Sequence, residues 1–587
     1  MTPSGCVTTN SRKTGTFSPL ICWLSVLLVQ LGPSAAVPLR DQGLFQPPVP
    51  PINGTRGAVA CESSICSGIG ASIIEIGGTA ADAMVASTLC VGVVGMYHSG
   101  IGGGGFVLIR DTNGRYEFID YRETAPAAAH RDMYQNDSSA STVGGLAVAV
   151  PGELRGLEYL HRKYGVLPWE TVVRPAARIA REGFVVGEDL IRYMESVGGN
   201  NSFLVSDPVW AQDFAPSGRL VELGETITRR RYANTLETIA VEGADAFYTG
   251  KLAESIIKAT QESGGILTHV DLEQYAIKVK KALSIDYRGY KLFSTQAPSS
   301  GPVMLSILNT MKNYPAEDVK NGNLTTHRFV EAMKFAYGAR QGFGDPDFVK
   351  NTRYLQRQML TEENGHQIVA LIQDNQTQPL SVYDPKAIYT TPGAGTSHLV
   401  TADRFGMTVS STTTVNLLFG SRVMTPDTGV ILNNEMDDFS QPGRRNSFGY
   451  NPSSANFIAP GKRPLSSMCP LIVENGSDRS VFFTTGAAGG SRIISSTAFT
   501  AFNVLEHGMS MHDAVAAPRP HDQLMPSQLL VEEGFDESVF ESLRARLHNV
   551  TWMGPKSSSV QAIMRFGNGT FDAVGETRQV NSGGSIV

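Results

Sequence analysis

The sequence predicts a layered enzyme of mixed α and β type. Helical periodicity dominates residues 153 to about 283, and strand-like alternation takes over from Thr396. At 587 residues the chain exceeds one ordinary domain core or makes one large layered enzyme. With 41% apolar and 18% charged residues the composition is globular, which excludes bulk disorder or a fibre. A formal net charge of -6, with no run of five basic residues, argues against a nucleic-acid partner and favours small molecules.

The elements follow in chain order. Arg12 and Lys13 precede an apolar stretch, Leu20 to Leu31, and then the small residues Ser34-Ala35-Ala36. The stretch is shorter than the ~20 residues a spanning helix needs, so residues 1–36 read as a cleaved signal peptide, with an uncleaved membrane anchor as the alternative. Residues 37–56 are proline-rich and polar, an arm or linker. Cys66 to Val94 reads as two helices. Ile69, Ile73 and Ile74 mark the first and Gly77-Gly78 ends it. Thr79 caps the second, with Asp82 in its first turn and a stripe of Ala86, Leu89, Cys90 and Val93. Further helical patterns run to 283 and again over 326–341. From Thr396, His398 and Val400 alternate with polar neighbours, Asp403-Arg404-Phe405-Gly406 turns, and Met407, Val409 and Ser411 continue the alternation. SVFFTTG (480–486) is a strand, RIISSTAFTAFNVLEHG a helix, and SSVQAIMRFGNGTFDAV a hairpin.

Eight N-x-[ST] sequons, at Asn53, Asn136, Asn200, Asn323, Asn375, Asn475, Asn549 and Asn568, together with the leader fit a glycosylated protein of the secretory route, secreted or else anchored or vacuolar. Cys6 and Cys22 fall in the leader. Cys61, Cys66, Cys90 and Cys469 are too few for a disulfide framework, and no metal-binding spacing occurs.

Several stretches could carry chemistry. In HSGIGGGGF (98–106), Gly100, Gly102 and Gly105 satisfy G-x-G-x-x-G, but a strand follows where a dinucleotide site needs a helix, so close backbone packing is the better reading. PGAGTSHLV (392–400) places a hydroxyl at a strand start. Thr414 and Asn416 are two apart in a predicted strand and so share a face. Glu435 and Asp438 lie three apart in NNEMDDFS, and Ser466 and Ser467 sit in PLSSMCP. Gly489 and Gly490 precede a helix, where outward N–H groups could hold an oxyanion. Each also fits a bland role: strand residue, solvated turn, loop or helix entry.

Taken together, GTSHL, TTTVN-x-x-FGS, ILNNEMDDFS, PLSSMCP and GAAGGS resemble the γ-glutamyltransferase family of N-terminal-nucleophile hydrolases. Upstream, HSGIGGGGF (98–106), DYRETAP (120–126), VPGELRG (150–156) and AFYTG (246–250) are similar to that family too, so the resemblance spans about 57 to 587. It implies a four-layer αββα sandwich with two stacked, mainly antiparallel sheets. It also implies self-cleavage between Gly395 and Thr396 into a large subunit (57–395 after the arm) and a small catalytic one (396–587) that stay together as a heterodimer. Thr396 would be the nucleophile, its freed α-amine, of ordinary pKa ~8, the base. Thr414 would orient it, and Gly489 and Gly490 would stabilise the oxyanion. Arg122, Ser466 and Ser467 would hold the α-carboxylate of a γ-glutamyl group, and Asn416, Glu435 and Asp438 its α-amine. The substrate would be glutathione or a conjugate, the acceptor water, an amino acid or a dipeptide, and no metal or other cofactor is implied. Cys66 and Cys90 match a family disulfide position, with Cys61 left over.

Met436-Asp437-Asp438 resembles the glutathione-cleaving type rather than conjugate specialists. PSSGP (298–302) departs from the family at Pro302, and ETRQVNSGG (576–584) weakens a C-terminal pattern; both are expected to lie away from the nucleophile. The rivals are a conjugate-processing member of a biosynthetic or detoxification route, a glutaryl-type acylase, and a non-catalytic binding protein on the same fold.

Overall fold

Strand Gly57–Cys61 shows how the layers arise: Val59 and Cys61 enter one apolar core while Ala58 and Ala60 enter another. A period of two puts alternate side chains on opposite faces, so a strand that is apolar throughout must be covered on both sides. The computed structural model describes residues 54–389, 395–445, 449–554 and 557–587. The leader, residues 37–53 of the arm and Asn53 lie outside them.

Two sheets carry the architecture. The first runs, edge to edge, Gly583–Ile586, Gly57–Cys61, Ser397–Asp403, Thr408–Thr414, Gly104–Arg110, Tyr116–Asp120 and Lys278–Lys280. The second runs Phe571–Val574, Ser559–Arg565, Val481–Ala488, Leu471–Asn475, Tyr290–Ser294 and Leu283–Tyr287. Neighbours are antiparallel throughout. Between the sheets, Ala58, Ala60, Val400 and Ala402 meet Ile563 and Phe571, and Leu108 meets Phe293, Ile472 and Val481. Helices cover both outer faces. Ser64–Glu75, Ala80–Val94 and Glu153–Tyr164 pack on the first sheet, with Trp169–Glu182 against Ala80–Val94, and Gly301–Met311 and Arg492–His507 pack on the second, with Gly322–Arg340 against Gly301–Met311. This is the expected αββα sandwich.

The helix pair behaves as its caps demand. Thr79 accepts the Asp82 N–H and Asp82 accepts the Thr79 N–H at 2.9 Å, a reciprocal capping box. Cys66 and Cys90 are joined in a disulfide between these two helices, and Cys61 and Cys469 are free thiols, both buried. The expected single stripe on Ala80–Val94 is corrected: all its residues are buried, because sheet, first helix and later helices enclose it.

Three other expectations change. The part after Thr396 is not a separate strand-rich module, since both sheets interleave strands from either side of it. Asn416 does not continue the strand face of Thr414: the strand ends at Thr414, and Asn416 sits in the left-handed region at φ 72° with its N–H on the Thr414 hydroxyl at 2.7 Å. Pro302 is no anomaly, because it falls in the first turn of Gly301–Met311, where the missing N–H would have had no helical partner.

No helix among the described residues is long and apolar enough to cross a membrane. Of the sequons, Asn136, Asn200, Asn375, Asn549 and Asn568 are exposed, and Asn323 and Asn475 are partly so.

Candidate active site

Thr396 immediately precedes the central strand Ser397–Asp403 and follows Gly395. The Thr396 hydroxyl contacts the Gly395 carbonyl oxygen, and the Thr414 hydroxyl donates to the same oxygen at 3.3 Å. Gly395 has φ 93°, and a Cβ there would lie 2.2 Å from the Asn416 carbonyl, so only glycine fits. The glycine run 102–105 has its reason in the same place. A Cβ on Gly103 would stand 1.9 Å from the Thr414 carbonyl, so bare backbone lets this strand close on the one carrying Thr414.

Beside Thr396 lies a pocket lined by Arg122, Asn416, Glu435, Asp438, Ser466, Ser467 and Gly490, which gathers most of the predicted site. Glu435–Asp438 forms one 3₁₀ turn, in which positions three apart eclipse, and both end carboxylates reach the Arg122 guanidinium. Glu123 adds a third buried carboxylate, 3.9 Å from Arg122. Neither carboxylate oxygen of Glu435 accepts a well-aligned hydrogen bond among the described residues; its Oε1 has only the ionic contact. Burial, reinforced by the neighbouring acids, outweighs Arg122 and holds Glu435 well above the usual carboxylate range. Burial likewise lifts Glu123 to about 7. A ligand ammonium placed beside Glu435 and Asp438 would favour their charged forms and offset the cost of burying them.

Arg122 was expected on the carboxylate side with the serines. Here it pairs with the acids, and the serines meet a different cation: Arg340 donates to Ser467 Oγ at 3.1 Å and to Ser300 Oγ at 3.1 Å. Ser300 in turn donates to the Ser466 carbonyl. Arg340, the last residue of its long helix, gave no signal in the sequence beyond the helical pattern. Gly489 (φ 121°) and Gly490 (φ 61°) link strand Val481–Ala488 to helix Arg492–His507, both in a backbone region that favours glycine.

A second cavity of about 200 Å³ opens on the other side of Thr396 and Gly395, past Gly489. Arg578 and Gln579 line it, which corrects the expectation that 576–584 lies far from the nucleophile. The last strand pairs with Gly57–Cys61, next to the strand led by Thr396, and so carries this segment in. PSSGP is near as well, through Ser300.

Sequence reasoning also missed a buried chain under Thr396. Ser397 donates to Glu62 at 2.6 Å, Ser99 donates to Ser397 at 2.6 Å, and His98 Nδ1 lies 3.1 Å from Glu62. By contrast His398, prominent in the G-T-S-H run, packs between the sheets, its ring against Gly486 and its Nδ1 2.9 Å from the Thr412 hydroxyl. Burial pushes its pKa down to about 3, so it stays neutral and serves packing. Among the described residues one group elsewhere has metal-ligand types: His327, Glu331 and His548. Its ring nitrogens are engaged, with His548 Nε2 2.8 Å from His327 Nδ1, His327 Nε2 2.8 Å from the Gln373 carbonyl and His548 Nδ1 3.3 Å from Lys334 Nζ.

A hydroxyl residue heading a central strand of stacked antiparallel sheets, with a glycine-lined helix entry beside it, defines an N-terminal-nucleophile hydrolase. The chain belongs to the gamma-glutamyltranspeptidase family, whose model matches residues 66–586. It is 51% identical to the glutathione hydrolase proenzyme of Arthroderma benhamiae over 91% of this chain and 93% of that one. It is 46% identical to the glutathione hydrolase of Aspergillus flavus, covering 90% and 89%. The cephalosporin acylase structure from Bacillus halodurans superposes with a TM-score of 0.77 at 26% identity, over 92% of this chain and 99% of that one.

Proposed function

We propose that this enzyme cleaves the γ-glutamyl amide bond of glutathione and its S-conjugates through a γ-glutamyl ester on Thr396. The observation that carries this reading is the acid pair Glu435 and Asp438, held on Arg122 in the same pocket that Thr396, Asn416, Ser466 and Ser467 line. A γ-glutamyl α-ammonium answers the acids and Asn416, while the α-carboxylate meets Ser466, Ser467 and the arginines. A glutaryl group has no ammonium for such a pocket, which disfavours the acylase reading.

The chain first cuts itself. The Thr396 hydroxyl adds to the Gly395 carbonyl carbon, the Gly395–Thr396 amide breaks, and water hydrolyses the ester, leaving a free α-amine on Thr396. The Thr414 contact to the Gly395 oxygen supports that step. In turnover the amine takes the hydroxyl proton as Oγ1 bonds to the γ-carbonyl carbon. The developing oxyanion faces Gly489 and Gly490, the amide C–N bond breaks, and cysteinylglycine leaves with the proton. Water, or the amine of an amino acid or dipeptide, then attacks the ester, its C–O bond breaks, and Thr396 recovers its proton. The two subunits, 57–395 and 396–587, function as one heterodimer. The leader and the exposed sequons support a glycosylated protein of the secretory route.

Gel analysis with N-terminal sequencing, beside a γ-glutamyl anilide assay, tests this. The expected result is a new N-terminus at Thr396 and turnover in the native protein, both lost in Thr396→Ala. An uncut, inactive native chain, or a Thr396→Ala variant that keeps either property, would overturn it.

A further inference from the structure

The cavity on the far side of Thr396 has a charge of its own. Arg192, Arg492 and Arg578 line it, and no carboxylate residue does among the described residues. Arg578 is already committed, to Glu532 at 2.5 Å and Glu576 at 2.8 Å. Among the described residues Arg192 is held at one end: its Nη2 meets Asp189 at 3.1 Å and the Tyr193 hydroxyl at 2.7 Å, while its buried Nη1 has no partner. Arg492 has no ion pair and no side-chain hydrogen bond among the described residues, and its Nε is buried without a partner. A half-buried guanidinium left unsatisfied is costly unless a ligand completes it. Arg492 stands one turn from the oxyanion glycines, its backbone N–H donating to the Gly489 carbonyl at 3.3 Å.

We propose that this cavity is the subsite for the leaving group and for the acceptor, and that Arg492, assisted by Arg192, binds the free C-terminal carboxylate of a dipeptide there. The inference rests on the γ-glutamyl transfer reading above. An extended dipeptide spans about 7 Å, which lets its amine sit at the Thr396 ester while its carboxylate reaches one turn further, to Arg492. Cysteinylglycine and an incoming dipeptide are chemically equivalent in this respect. Guanidinium is the suited partner because its fork matches a carboxylate. The γ-glutamyl pocket therefore selects the donor and the arginine cavity selects what is exchanged on it.

The test compares glycylglycine with glycylglycinamide as acceptors of the γ-glutamyl group from an anilide donor. The native enzyme is expected to favour the free carboxylate about tenfold or more in kcat/KM, mainly through KM. Arg492→Gln should bring that ratio close to one, and Arg492→Lys should restore part of it. Arg192→Gln should lower it less, and serves as the second variant if Arg492→Gln is not processed. A native enzyme that transfers to both acceptors equally, or an Arg492→Gln enzyme that keeps the full preference, would overturn this inference and leave the donor reading intact. Failure of the native enzyme to use the anilide at all would instead overturn the donor reading.

Discussion

Glu153 is fully buried at the start of its helix, and the Thr413 hydroxyl donates to its Oε2 at 2.7 Å. Burial, only partly offset by that bond, lifts its pKa from 4.5 to about 8, and nearby Glu123 adds to the rise. Between these two values the native state keeps a proton that the unfolded chain has already lost, so this residue lowers stability progressively as pH rises across that window. At ~1.4 kcal/mol per unit the loss amounts to several kcal/mol. Glu153→Gln keeps an acceptor for Thr413 and has no proton to lose. Its melting temperature should therefore gain on the native protein's as pH is raised from about 4.5 to about 8; a constant gap would show that Glu153 does not titrate there. At this same scale the site divides by legibility. Thr396, Thr414, Glu435, Asp438 and the two glycines stand in short motifs whose order can be read. Arg340, Arg492 and Glu62 cannot be found that way, because each lies inside an ordinary helical, strand or loop pattern and acquires meaning only from what packs against it. Arg122 was legible as a site residue but not its partner, since a single residue does not reveal which of several charges it will face.

The capping box at Thr79 and Asp82 joins more than one helix end. Asp82 Oδ2 accepts the Val166 N–H at 3.0 Å as well as the Thr79 N–H, tying Ala80–Val94 to the connection after Glu153–Tyr164. Thr79→Ala should cost about 1 kcal/mol, the usual value of a lost N-cap. Asp82→Ala should cost more, because it also leaves the Val166 N–H without its acceptor. Urea midpoints of the two variants measure the difference, and equal losses would confine the effect to the cap. Such ends were legible because Gly77-Gly78, Thr79 and Asp82 act locally. The helix Gly301–Met311 was not, since it is buried all round and opens on a proline. Nor could alternation reveal which strands pair: Ser397–Asp403 lies between Gly57–Cys61 and Thr408–Thr414, hundreds of residues from the first and adjacent to the second.

Over the whole molecule, that strand order governs how the two halves depend on each other. The first sheet draws Gly57–Cys61, Gly104–Arg110, Tyr116–Asp120 and Lys278–Lys280 from before Thr396, and the second draws Tyr290–Ser294 and Leu283–Tyr287. Residues 396–587 made alone would present open edges and bare apolar faces in both layers. They are expected to be insoluble or unfolded by circular dichroism when expressed separately, whereas on the proposed cut the same residues arising from the full chain are expected to stay bound to 57–395. A soluble, cooperatively melting 396–587 would refute this. Helical and strand periodicity anticipated both kinds of layer but not their interleaving, because periodicity reports which face of a segment is covered and not by what.

On the proposed self-cleavage, the interleaving would also time the enzyme's own arming. The atoms that would open the Gly395–Thr396 bond belong to strands whose neighbours come from opposite ends of the polypeptide. On the proposed cut, a chain that has stalled or paired its strands wrongly has no means of exposing its nucleophile. The blade is unsheathed only by a correctly finished body, so maturation doubles as the protein's own inspection of its folding, made before any γ-glutamyl compound is met.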